Sequence, residues 1–174
     1  MLNTSELAVR RVAPSPQSPT GDRFDYADSF EIRLPGPDHR RPEEWMRRGL
    51  EEAPRPLRWT ILAAHRFVLR FHLAPLSATD HVLGWRVVTS TPEQVHLQAS
   101  GPLMVGDLVG RRDSPEQMEL STYLSFERPL PDRLIWSGVG VLHRRIAPYL
   151  LERAAARRGT SRLDGTRRRG HTGG

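Results

Sequence analysis

Four strand-like runs follow one another between Val82 and Glu127, and together they constrain the fold more than any other feature of the chain. The runs are Val82 to Ser90, Val95 to Ser100, Leu103 to Arg111 and Met118 to Glu127. Thr91-Pro92-Glu93, Gly101-Pro102 and Arg112 to Glu116 separate them. Links this short join antiparallel neighbours, so the stretch predicts a meander. Its last run is the cleanest, with Met118, Leu120, Thr122, Leu124 and Phe126 set against Glu119, Ser121, Tyr123, Ser125 and Glu127. An earlier strand begins at Phe24, with Tyr26, Phe30, Ile32 and Leu34 on one face and Asp25, Ser29, Glu31 and Arg33 on the other. Asp28 is its anomaly, a carboxylate in an apolar register. Pro35-Gly-Pro37 ends it.

Helical spacing governs the rest. Pro42, Glu43 and Glu44 read as a first helical turn, followed by Trp45, Met46 and Leu50. A second helix runs from Leu57 to about Leu73 and is apolar over most of its circumference, which predicts burial or a ligand-facing role. From Asp132 to Ala156 the apolar residues Ile135, Val139, Leu142, Ile146, Tyr149 and Leu150 mark a long amphipathic helix, with Asp132 as N-cap and Pro148 kinking its final turns. The order β-α-α-β-β-β-β-α is α+β: a curved antiparallel sheet with one apolar face, covered by the C-terminal helix.

The chain has 174 residues, no Cys, and only Arg among its 26 basic side chains. Those absences remove disulfides, thiolate nucleophiles, cysteine metal sites, Schiff bases and lysine general bases. The net charge of +6 belongs to the ends, because six Arg between 157 and 169 stand against Asp164 alone, whereas residues 21 to 154 sum to zero. No basic groove on the body follows from the charge. Residues 1–22 read as a disordered linker and 157–174 as a disordered Arg-rich tail able to make weak contact with an anionic partner. Residues 23–156 read as one domain. No apolar run reaches the roughly 20 residues of a membrane span, and no targeting signal is visible, so a cytoplasmic location is expected.

His81-Val-Leu-Gly-Trp-Arg-Val-Val88, Tyr123-Leu-Ser-Phe-Glu-Arg-Pro129 and Trp136 followed by Leu142-His-Arg-Arg-Ile146 are similar to a bacterial domain of unknown function found alone or behind a reductase-like domain. The element order resembles the helix-grip fold of the START/polyketide-cyclase-like (SRPBCC) superfamily. That resemblance implies a hydrophobic cavity between sheet and C-terminal helix. This chain shows five readable strands where fuller members have six or seven. Gly138-Val-Gly140 lacks the context of a nucleotide site.

Candidate chemistry is sparse. Asp28 is paired, with Arg86 as one partner, or rotated outward by a bulge, or serves as a polar anchor for a ligand's hydroxyl or amine. Register decides whether Arg86 or Trp85 points inward. A two-residue Pro92-Glu93 turn pairs Arg86 with Ala99, and a slip of one residue turns Trp85 in instead. Gly106 and Gly110 fall on the inner face, where they either admit a close helix or leave space for a ligand. His143 lies beside the apolar stripe of the last helix, an edge that faces the cavity in the helix-grip arrangement. His65 and His72 share a helix face without metal-pair spacing. The reading is therefore a protein that binds a small hydrophobic ligand, with no cofactor or metal, in a pocket bounded by Tyr26, Asp28, Trp85, Arg86, Tyr123, Trp136 and His143. A cyclase- or hydratase-type enzyme using the same pocket, and a cavity-less interaction protein docking through its second helix, are the alternatives.

Overall fold

A computed structural model describes residues 9–16, 19, 21 and 23–156. Its elements are β1 (Val9–Val12), β2 (Tyr26–Arg33), α1 (Pro42–Glu51), α2 (Arg55–Ala63) running into one turn of π-helix (Ala64–Val68), β3 (His81–Val82), β4 (Trp85–Ser90), β5 (Gln94–Ser100), β6 (Met104–Ser114), β7 (Gln117–Phe126) and α3 (Pro129–Ala156). Seven strands make one antiparallel sheet in the order β1-β2-β7-β6-β5-β4-β3, packed against α3. The arrangement is α+β and compatible with a helix-grip fold.

Two strands exceed the sequence reading. Val9–Val12 pairs with β2 from within the stretch read as linker, and Arg10 bonds the nearly buried Glu31 at 2.8 Å. Four residues with Val only at the ends show no period of their own. The second addition is His81–Val82, which folds back on β4. The Arg-rich run after 156 lies outside the described residues.

Registers follow from two turns and one bulge. Thr91 and Gln94 close the Pro92-Glu93 turn, and Ser90 pairs Val95. A bulge at Val88 then inserts an extra residue, so Leu97 faces Val87 rather than Val88. One residue reverses the faces, and Trp85 is buried while Arg86 is exposed. The next link is a four-residue turn closed by Gly101 and Met104, which pairs Ala99 with Gly106 and Val95 with Gly110. A two-residue Gly101-Pro102 turn would instead pair Ala99 with Met104, so the observed register is shifted by two and keeps both glycines on the inner face. Neither leaves a simple void: a Cβ on Gly106 would lie 3.0 Å from both Phe71 Cζ and Trp85 Cη2. The missing side chain is what lets these rings pack on the sheet.

α1 begins at Pro42, places Glu43 and Glu44 in its first turn and Arg48 in its last, and carries Arg47 between Glu43 and Glu51. It buries Trp45, Met46 and Leu50. α3 starts at Pro129, three residues before the expected cap. Asp132 instead sits inside the first turns, fully buried, and its Oδ2 accepts the Arg128 N–H at 2.6 Å. The second helix ends early. Ala64–Val68 widens into a π turn, Arg70 adopts φ 57°, and the chain is irregular from Phe71. Leu69 and Phe71 are thereby buried, but Trp59 and Phe67 are 62 % and 75 % exposed, against the expected burial of this helix.

Candidate functional site

Between the inner face of the sheet, α1, the α2–π segment and α3 lies a cavity of about 100 Å³. Met46 and Leu50 of α1, Ile61 of α2, Leu108 and Leu120 of the sheet, and Val139 and Ile146 of α3 contribute apolar wall. Thr60 and Leu142 line it and are also solvent-exposed, which places the opening between α2 and α3. An engineered cavity of about 150 Å³ holds benzene, so this one suits a small ring or a short chain.

One wall is polar. The β2–β7 register is unbroken from Tyr26↔Leu124 to Arg33↔Gln117, so no bulge turns Asp28 outward and its period-two position holds. Asp28 is 0 % exposed. Its Oδ2 accepts the Tyr26 hydroxyl at 2.6 Å, and its Oδ1 lies 3.3 Å from His143 Nε2. Thr122, which pairs Asp28 across the ladder, brings Oγ1 to 3.3 Å from the same nitrogen. The partner of Asp28 is therefore His143 with Tyr26, not Arg86. Burial by itself raises the Asp28 pKa. The bond to His143 and its charge, the Tyr26 hydroxyl and the charge of Arg11 outweigh that, and the carboxyl sits below its ordinary value. Tyr26 shows the reverse effect: burial, with the Asp28 carboxylate beside it, raises its phenol to about 12 although Arg144 opposes the rise.

Trp136 joins this group to the cavity wall. Its ring packs edge-on to Tyr26 at 4.9 Å and tilted to His143 at 5.4 Å. Gly140, one turn on, makes room for it, since a Cβ there would lie 3.2 Å from the indole nitrogen.

A second imidazole lines the cavity from the π turn. Trp85 Nε1 donates to His65 Nδ1 at 3.2 Å, and the rings of Phe71 and Trp85 stand edge-on to it at 6.0 and 5.3 Å. Burial pushes the His65 pKa down to about 4, with the charge of His143 adding to the effect.

Of the residues expected at the pocket, Trp85, Trp136 and His143 line the cavity. Tyr26 and Asp28 stand directly behind His143 and Trp136. Arg86 faces solvent because of the Val88 bulge. Tyr123 lies on the opposite face of the sheet, where it packs on Phe24 at 5.3 Å and donates to the Ser15 carbonyl at 3.3 Å. Its own alternation pattern, which groups it with Glu119 and Ser121, was the signal for that outward placement. Thr122 and His65 are the site residues the sequence reading left out. The outer face also holds a buried polar group, with His96 Nε2 at 2.7 Å from Asp107 Oδ1 and Gln98 donating to the same oxygen at 3.0 Å.

Among the described residues no three His, Cys, Asp or Glu converge as a metal site requires, and no helix is long and apolar enough to cross a membrane. No protein-family model, curated protein or solved structure matches the chain.

Proposed function

We propose that the protein binds a small, largely apolar molecule between sheet and α3, in the manner of a START/polyketide-cyclase-like domain. The observation that carries this reading is the cavity itself: about 100 Å³ of apolar-walled space open to solvent between α2 and α3. At about 24 cal/mol per Å³, an unfilled cavity of about 100 Å³ costs about 2 kcal/mol, and occupation by a ligand recovers that cost. Native mass spectrometry of the purified protein tests it, with a bound mass adduct expected that disappears when Val139→Phe fills the wall. Absence of any adduct, together with a melting temperature unmoved by a panel of small aromatic and aliphatic ligands, would sink the proposal.

A second reading is favoured by one specific observation, the buried carboxylate held against a cavity-lining imidazole. In a cyclase- or hydratase-type enzyme this pair would move a proton to or from the bound molecule. Deuterium uptake from heavy water into the bound molecule, lost in His143→Gln, separates an enzyme from a carrier.

A further inference from the structure

We propose that the ligand carries a single hydroxyl, as an apolar alcohol or phenol, which bridges His65 and His143; this rests on the binding reading above and specifies its polar end. The argument is one of tautomers. An indole N–H can only donate, so the Trp85 bond makes His65 Nδ1 the acceptor and puts the ring proton on Nε2. His143 is fixed the opposite way relative to the cavity. An ionised carboxylate can only accept, so the contact with Asp28 Oδ1 puts the His143 proton on Nε2, with Thr122 Oγ1 at the same distance of 3.3 Å. The neutral ring then has its lone pair on Nδ1.

Neither His65 Nε2 nor His143 Nδ1 has a hydrogen-bond partner among the described residues, and neither is a sealed, unpartnered atom. Both rings line the same cavity, and they are near enough for the charge of His143 to act on His65. Of the two imidazoles, one thus presents an N–H donor and the other a lone pair. A hydroxyl satisfies both and leaves nothing over: its oxygen accepts from His65 and its proton goes to His143. A ketone leaves the His143 lone pair unmet, and an ammonium leaves the His65 N–H unmet. A primary amide brings an extra N–H to apolar walls, and a carboxylate meets a lone pair with Asp28 behind it.

The test uses four probes that share one ring: phenol, its methyl ether, benzoate and benzene. Each is titrated calorimetrically into the full chain at about pH 8, above the ordinary histidine range. The phenol should bind about tenfold tighter than the ether and benzene, the worth of about one to two hydrogen bonds, and the benzoate weakest. His65→Asn keeps an acceptor for Trp85 but removes the donor into the cavity. His143→Gln keeps a donor for Asp28 but removes the lone pair. Each should abolish the preference for the phenol over its methyl ether. Equal affinity for phenol and ether, or a preference for the benzoate, overturns the hydroxyl proposal and leaves the apolar pocket standing. Failure of all four probes to bind overturns both. Nitrogen NMR of the imidazoles in the unmutated chain is an independent check, since a proton on Nδ1 of either neutral ring refutes the tautomer argument whatever the variants do.

Discussion

His65 should make the fold acid-sensitive well above the pH at which its carboxylates titrate. In the unfolded chain this imidazole takes its proton near the ordinary value of 6.5, whereas in the folded protein burial holds it neutral down to about 4. Between those values the unfolded state binds more protons, so stability falls as the pH drops from 6.5 toward 4. The full shift corresponds to about 3 kcal/mol, of which about 2–3 kcal/mol is lost between about pH 7.5 and about pH 4.5. Geometry supplies the cause as well as burial, because protonating Nδ1 removes the only lone pair available to the Trp85 indole N–H at 3.2 Å. The comparison is His65→Asn, whose side-chain oxygen reaches about the same position as Nδ1 and does not titrate. Urea unfolding of both proteins from about pH 7.5 to about pH 4.5 removes the shared carboxylate contribution by difference. The variant should start about 1 kcal/mol less stable through lost packing and then lose about 2–3 kcal/mol less on acidification. Parallel curves would refute the argument, and so would a variant that is the more acid-sensitive of the two.

Asp28→Asn should cost about 1.5–3 kcal/mol in urea unfolding, the range for hydrogen bonds to a charged group, and Tyr26→Phe about 2 kcal/mol. The depressed Asp28 pKa adds stability that is present above the ordinary carboxylate range and lost as the pH falls through its folded value, so Asp28→Asn should flatten the stability profile in that most acidic window. Tyr26 should ionise near pH 12 in an alkaline ultraviolet titration, and Tyr26→Phe should remove that step. Because Leu150 is buried and Leu142 is 41 % exposed, Leu150→Asp should unfold the domain and Leu142→Asp should change stability by less than about 1 kcal/mol; comparable effects at the two positions would displace α3 from its described orientation. Gly106→Leu, which drives carbons into Phe71 and Trp85, should cost at least the 1–3 kcal/mol typical of overpacking. A variant as stable as the parent would mean that the two rings do not pack on Gly106.

What could be read in the sequence depended on whether periodicity or pairing carried the information. Asp28 and His143 each belong to a strong local period, two along β2 and about three and a half along α3, and each period specifies a face without reference to any partner. Two faces turned toward one core put the carboxylate and the imidazole at one pocket, but their direct pairing was not legible: Arg86 was the partner expected for Asp28, and the helix-grip resemblance supplied the inward edge of His143. Tyr123 failed by the same logic in reverse: the alternation that put Thr122 inward put Tyr123 outward, and its aromatic character outweighed its period in the reading. Pairing is different in kind. The Pro92-Glu93 turn sets Arg86 opposite Ala99 only if β4 is regular, and a single bulged residue at Val88 transfers every side chain beyond it to the other face. Val88 is an ordinary β-branched residue, and nothing local distinguishes it from Val87. His65 was hidden more deeply still. On a continuous helix it shares a face with His72, but the π turn and the left-handed Arg70 end that helix, and these are responses to Leu69 and Phe71 sinking into the core beside Trp85. The imidazole that most tunes the cavity therefore owes its position to tertiary packing that closes over sequence-distant residues, which a reading of local pattern does not contain.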